Sequence, residues 1–191
     1  MNKLRIGICG TYQTGKTILA ENIAKNLKLP LIGSQAQIIA KRMEINYPWY
    51  AIQDRSLARE FLVAVLLAQI EFEARHHNFV TDQTLVDYAA AWSYFGLGED
   101  IDGTVYHNAC FARQYDLLIY APLKESDIFC SRKKQTQFDK ILKALLFKLD
   151  TPVLTCSEFK ECAVNTMKRL CGKGQPLADA LPPGKGQGTS Q

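Results

Sequence analysis

None of the six cysteines (Cys9, Cys110, Cys130, Cys156, Cys162 and Cys171) stands in a C-x-x-C pair, and His76, His77 and His107 have no ligand-like spacing to them. A structural zinc site is therefore not expected. The adjacent His76 and His77 would point to different sides of a helix, and all three histidines read as surface or helix-end residues. No apolar run approaches the ~18 residues of a membrane span, and the N-terminus enters a strand-like segment almost at once, leaving no room for a secretory leader. A cytosolic location is expected. The formal net charge of +4 suits an anionic substrate. The basic residues form no concentrated stripe, so a dedicated nucleic-acid binder is not expected either.

What is present is a phosphate-binding loop. Gly10, Thr11, Tyr12, Gln13, Thr14, Gly15, Lys16 and Thr17 fit the pattern G-x-x-x-x-G-K-S/T in full. A β-type segment at residues 4–9 precedes it, and residues 17–27 carry apolar side chains at helical spacing. Strand, loop and helix thus come in the order the motif needs. Such a loop turns its backbone N–H groups toward a polyphosphate, and Gly10 and Gly15 permit the close approach and the unusual dihedrals. Lys16 reaches the terminal phosphates, the Thr17 hydroxyl ligates Mg²⁺, and the new helix, with Ile18 in its first turn, presents its positive end to the anion. The loop implies an ATP-containing, reducing compartment, so the cysteines read as free thiols. With 191 residues, 47% of them hydrophobic, the chain suits one domain with a sizeable core.

Along the chain, residues 29–34 suggest a second strand and 35–43 a short helix. Tyr47, Trp49 and Tyr50 then surround Pro48, which blocks a regular helix; the cluster could stack a base or pack a core. Residues 51–75 read as a long helix whose centre, 61–68, is apolar all round and so buried on several sides. Arg55 and Arg59, one turn apart, could face an anion or solvent.

A short strand ends at Asp82. Ligands of open parallel α/β sheets gather beyond the carboxyl ends of strands, which makes Asp82 the candidate base or metal partner. Thr84-x-x-Asp87 fits a capping box opening a helix that stops at Gly96, and that structural role accounts for both residues. Asp100-Ile101-Asp102-Gly103 matches the D-x-x-G of guanine-nucleotide switches. It follows a helix rather than a strand, and no N-K-x-D motif comes after it, so it is set aside.

A helix at 103–113 leads to a strand at 115–122. Lys124, Arg132, Lys133 and Lys134 follow, ahead of a helix that the Thr136-x-x-Asp139 capping box would open. Cations before a helix N-terminus are disfavoured unless an anion visits, so the segment reads as a lid or as a solvated loop. A helix at 139–149, a fifth strand at 151–156 and a last helix at 157–170 complete a domain over residues 1–171. Residues 172–191 hold five of the 12 glycines and three of the 7 prolines and read as a disordered tail.

Gly10 to Thr17, Gln69-x-Glu71 and Val80-Thr81-Asp82-x-x-Leu85-x-Asp87-x-x-Ala90 together resemble the AAA_28-type P-loop proteins, which include the ribosylnicotinamide kinase domain of NadR-like proteins and neighbour the nucleoside and nucleotide kinases. The resemblance covers roughly residues 4–156. It implies an α/β P-loop NTPase fold, three layers with a doubly wound, mostly parallel five-stranded sheet and helices on both faces. It also implies ATP and Mg²⁺ on the loop, a small-molecule acceptor near Asp82, and a basic lid contributing Arg132. Lys16, Asp82 and Arg132 are then the catalytic residues, residues 10–18 the nucleotide site, and Thr17 and Asp82 the Mg²⁺ ligands. Where the family carries Arg after the strand-end Asp, this chain has Gln83. Where the family often carries Glu and Arg after the second strand, it has Ser34 and Gln37. Two functions follow: a kinase for a nucleoside, nucleotide or ribosylnicotinamide-type acceptor, favoured by the motif, and an NTP-dependent regulatory or interaction module without acceptor chemistry, favoured by the three substitutions. A homo-oligomer is compatible with either.

Overall fold

Alternating strand and helix periods wind a parallel sheet here, because each strand must cross a helix before it can pair with the next in the same direction. The computed structural model describes residues 3–45, 52–97, 115–123 and 132–156. The elements run β1 (Arg5–Gly10), α1 (Lys16–Leu27), β2 (Leu31–Ile32), α2 (Gln35–Arg42), α3 (Arg55–Ala74), β3 (Phe79–Thr81), α4 (Leu85–Tyr94), β4 (Leu117–Ala121), α5 (Arg132–Phe147) and β5 (Val153–Thr155). The five strands lie in the order β2-β3-β1-β4-β5, all parallel.

Side chains alternate across β1 and build a core on each face of the sheet. Ile6 and Ile8 join Val80, Leu117 and Ile119 against Leu19, Ala20 and Ile23 of α1. Cys9, Phe79, Leu118 and Tyr120 point the other way, into a larger core with Phe61, Leu62 and Val65 of α3, Tyr88 and Trp92 of α4, and Leu142 and Leu146 of α5. The β2, β3 and β1 carboxyl ends share one edge, with Ile6 opposite Val80 and Leu31 also opposite Val80. Residues just past each of these strands therefore meet at that edge.

Four expectations change. α3 starts at Arg55 rather than residue 51, because the Asp54 carboxylate caps it, accepting from the Ser56 and Leu57 amides at 2.7 and 3.1 Å. Its centre is not buried all round: Leu67 is 60% exposed, while Phe61, Leu62, Val65 and Leu66 form the inward face. His76 and His77 fall just past this helix rather than on it.

The fourth change is the largest. α5 begins at Arg132, so Arg132, Lys133, Lys134 and Thr136 lie inside the helix and Thr136 is not its cap. Gln135, Phe138, Asp139, Leu142 and Leu146 are all buried, forming one stripe that packs against α4. That stripe starts well before Thr136, and its burial overrides the local capping pattern. Asp139 works elsewhere, accepting from the Tyr120 hydroxyl at 2.6 Å and pairing with Lys143 at 2.8 Å. Burial and the Asp139 carboxylate raise the Tyr120 pKa, which keeps the hydroxyl a donor.

Cys9 and Cys156 are buried, and among the described residues neither is in a disulfide. The other four cysteines, the aromatic cluster at 46–50, the D-x-x-G match, the 103–113 helix, the basic stretch up to residue 131, the last helix and the 172–191 tail lie outside the described residues. Among the described residues no helix is long and apolar enough to cross a membrane.

Candidate active site

β1 ends at Gly10, and the chain then turns back on itself in a conformation that excludes a side chain there. Gly10 has φ +151°, and a Cβ on it would stand 2.5 Å from the Ala121 carbonyl oxygen. Gly15, at φ +79°, opens α1 from the left-handed region, with no side chain capping the helix. The free amides of the first turn are left to an anion. Gln13 also takes a positive φ of 64°, a cost of roughly 1–2 kcal/mol for a residue with a Cβ.

A cavity of about 360 Å³ opens over this loop. Of the nine residues assigned to nucleotide binding, Gly10, Thr11, Tyr12, Gln13, Gly15, Lys16, Thr17 and Ile18 line it. Thr14 does not; its hydroxyl donates to the Thr11 carbonyl at 3.0 Å and braces the loop from within. Lys16 folds across the turn, its ammonium donating to the Gly10 and Thr11 carbonyls at 2.8 and 2.5 Å. Desolvation lowers its pKa, while the Asp87 and Asp82 carboxylates pull the other way.

Asp82, just past β3, is 5% exposed and faces the loop. Its Oδ2 accepts from the Thr17 hydroxyl at 3.1 Å. Its Oδ1 is buried with no hydrogen-bond partner among the described residues. Burial raises its pKa, against the opposing pull of the Thr17 hydrogen bond and the Lys16 charge. The site thus joins an anion-binding loop to a carboxylate with one oxygen to spare.

Asp87 does more than its sequence pattern suggests. The capping box with Thr84 is present, with Oδ2 accepting from the Thr84 amide and hydroxyl at 2.8 and 2.7 Å. Its Oδ1 reaches into the loop and accepts from the Gly10 amide at 3.0 Å. Fully buried, it has a pKa raised by desolvation, which the Lys16 charge and its hydrogen bonds oppose.

The other cavity walls come from distant segments. Ser34 and Gln37, after β2, and Gln83 line one side. Tyr94 of α4 and Lys134, Gln135 and Phe138 of α5 line another, with the Tyr94 and Phe138 rings edge to face at 6.3 Å. Gln135 donates to the Tyr12 carbonyl at 3.2 Å, tying α5 to the phosphate loop. The sequence assigned Arg132 to this site; its side chain lies outside the described part of the structure, and Lys134 is the basic residue of that run seen lining the cavity. Tyr94, Gln135 and Phe138 went unassigned from sequence. The available signal was spacing, since Asp87 and Tyr94 stand seven residues apart, two turns along one face of α4.

No protein-family model matches the chain, and no curated protein does, so the AAA_28-type resemblance rests on its motifs alone. Solved structures do match. Deoxyadenosine kinase from M. mycoides with bound dATP aligns with a TM-score of 0.64 at 16% identity, covering 88% of this chain and 100% of that one. NadR in complex with NR aligns at 0.72 and 13% identity, covering 92% of this chain and 53% of that one, so this chain spans about half of NadR. Shikimate kinase from Acinetobacter baumannii in complex with shikimate aligns at 0.56 and 12% identity, covering 88% and 93%. At such low identities the likeness is one of fold, and the fold is the five-stranded parallel sheet with flanking helices that these P-loop kinases share.

Proposed function

We propose that this chain is an ATP-dependent small-molecule kinase, moving the γ-phosphoryl group of ATP to an acceptor hydroxyl. One observation carries the reading. Beside the phosphate loop, Asp82 meets the Thr17 hydroxyl through Oδ2 and keeps Oδ1 buried and unpaired among the described residues. The hydroxyl and carboxylate oxygens of Thr17 and Asp82 are the hard donors that Mg²⁺ prefers, and the orphaned Oδ1 fits a ligand atom not supplied by the protein. When bound there, Mg²⁺ would neutralise charge on the phosphate oxygens.

The chain's own residues supply the rest. The loop amides and Lys16 hold the β- and γ-phosphates, and the Lys16 charge offsets the charge spread over the transferring group. Asp82 orients the acceptor hydroxyl and takes its proton as the acceptor oxygen bonds to the γ-phosphorus. The bond from that phosphorus to the β,γ-bridging oxygen breaks, and ADP leaves. Arg132, in the first turn of α5, is placed by sequence to close over the phosphates with Lys134, because its planar guanidinium can hold two oxygens at once. Cations in a first helical turn oppose the helix dipole until an anion arrives.

The dATP-bound and shikimate-bound neighbours support a nucleotide donor and a small acceptor. The test is coupled ADP release over a panel of nucleosides, nucleotides and hydroxy acids. A kinase releases ADP quickly only when its acceptor is present. Release at one rate with or without every acceptor would instead establish the regulatory NTPase.

A further inference from the structure

Gln83 occupies the wall of the cavity nearest Asp82 in sequence, and it is clamped at both ends. Its backbone carbonyl accepts from the Thr81 hydroxyl at 2.8 Å and from the buried Gln69 amide at 3.2 Å. Its side-chain oxygen accepts from the Ser34 hydroxyl at 2.6 Å and, at 3.3 Å, from the Tyr88 hydroxyl, which Gln69 Oε1 shares at 3.5 Å. Two hydroxyl donors on the oxygen leave the NH₂ end of the amide as the group to address a ligand.

Ser34 makes this arrangement look built rather than incidental. It occupies the N-cap position of α2, where a serine hydroxyl ordinarily accepts from a helix amide, a bond worth about 1 kcal/mol. Here Ser34 makes no side-chain cap bond. Its hydroxyl donates to Gln83, and no α2 amide donates to it, so the bond it makes orients one side-chain amide rather than capping the helix.

The charges of the cavity are distributed unevenly. Among the described lining residues, the charged ones are Lys16 and Asp82 at the phosphate loop and Lys134 on α5, whose neighbour Gln135 is bonded to the loop. The wall formed by Ser34, Gln37 and Gln83 is uncharged. An anionic acceptor there would lie beside the Asp82 carboxylate, and among the described residues of that wall no cation offsets the repulsion.

Resting on the kinase reading, we propose that this wall selects an acceptor that is uncharged where it meets Gln83 and that offers the Gln83 NH₂ a carbonyl oxygen or ring nitrogen. Gln83 is the specificity-determining residue, and Ser34 is a positioning residue that acts through it. Anionic acceptors such as nucleoside monophosphates or hydroxy carboxylates are discriminated against.

The test measures binding apart from turnover. Thermal shift and calorimetry in the presence of AMP-PNP compare adenosine, inosine, guanosine, cytidine and uridine with their 5′-monophosphates and with shikimate. At least one neutral nucleoside should bind at least about tenfold more tightly than every anionic probe, a modest value for hydrogen-bond-based discrimination. Gln83→Glu, close in shape, should lose most of that affinity by replacing a donor with a second acceptor. Gln83→Arg should shift the preference toward the monophosphates. Ser34→Ala should weaken nucleoside binding and raise KM more than it lowers kcat, Ser34→Thr should restore both, and AMP-PNP affinity should not move in any of these variants. The inference is overturned if no neutral probe binds the wild-type protein, if an anionic probe binds it as well, or if Gln83→Glu keeps wild-type affinity and selectivity. ADP release is read in parallel on the same samples. Selective nucleoside binding without ADP release sinks the kinase reading and spares the acceptor wall, whereas release driven only by anionic acceptors does the reverse.

Discussion

The two sides of the cavity are built by opposite strategies. The phosphate side is one continuous stretch, Gly10 to Ile18, with the Lys16 ammonium donating back to the carbonyls of Gly10 and Thr11 only a few residues away. The wall proposed to meet the acceptor is assembled from Ser34, Gln37 and Gln83, with a Ser34–Gln83 hydrogen bond that spans 49 residues. Local chemistry defines the first and tertiary packing defines the second. Substitutions on the phosphate side should therefore act on nucleotide binding and turnover whatever the acceptor, while those on the acceptor side should act through selectivity.

The largest expected effect tests the phosphate side directly. Lys16→Ala should abolish productive triphosphate binding and turnover while leaving the fold intact, because among the described residues its ammonium bonds loop carbonyls and it lines the cavity. Titration with a fluorescent ATP analogue measures this. Wild-type affinity in the mutant would remove the distinction between the two sides altogether.

Asp82 stands where the two sides meet, and its substitution should separate catalysis from binding. Asp82→Asn should lower kcat by at least about a hundredfold, the lower range for a general acid–base group, with a smaller loss of ATP affinity. Burial raises its pKa, so the acid limb of the kcat/KM profile should lie above the ordinary aspartate range, with activity falling as pH drops through it. Stability should run the opposite way. A carboxylate whose folded-state pKa exceeds its unfolded value favours the fold in its protonated form, and that contribution is lost as pH rises through the raised value. The ligand-free protein should therefore gain stability from this group on acidification toward the ordinary aspartate pKa. Asp82→Asn should melt higher than wild type at neutral pH and lose this part of the pH dependence. A mutant that melts lower and remains active would place Asp82 among structural residues.

What could be read from the sequence follows the same division. The phosphate loop, its flanking strand and helix, and the strand-end position of Asp82 are properties of short windows, and all were legible. The start of α5 was not, because Thr136 and Asp139 imitate a cap, while the buried stripe from Gln135 to Leu146 that overrides them depends on α4. Asp87 was legible by half: the capping box is local, but its bond to Gly10 crosses 77 residues. Ser34 and Gln83 could be seen as departures from a family pattern, yet nothing in the sequence says that they touch. Tyr94 and Phe138 join the site only because two helices pack face to face.

Asp87 gives a prediction of intermediate size that crosses this boundary. Asp87→Ala removes the acceptor for the Gly10 amide and for both donors of Thr84, leaving buried polar groups unpaired at a cost of about 1–3 kcal/mol. Chemical denaturation should show that loss. If Asp87 also holds the loop in shape, the KM for ATP should rise several-fold with a smaller change in kcat. A stability loss with an unchanged ATP KM would confine Asp87 to capping, as its sequence pattern alone suggests.

The smallest expected effect asks whether the phosphate side stores backbone strain. Gln13 sits in the middle of the loop at φ +64°, a conformation that a glycine reaches without steric cost and a glutamine does not. Gln13→Gly relieves that strain but also loosens the unfolded chain, which offsets the gain by about 0.5–1 kcal/mol. The net should be a small stabilisation, on the order of 1 kcal/mol or less. Its side chain is exposed, and a phosphate loop grips its ligand through backbone N–H groups. ATP affinity should therefore remain within about twofold of wild type, less than 0.5 kcal/mol by the usual conversion. Thermal melts with and without AMP-PNP separate the two quantities. If Gln13→Gly instead melts lower and binds ATP clearly less tightly, the glutamine side chain itself contributes to the site, and the phosphate side relies on more side chains than Lys16 and Thr17.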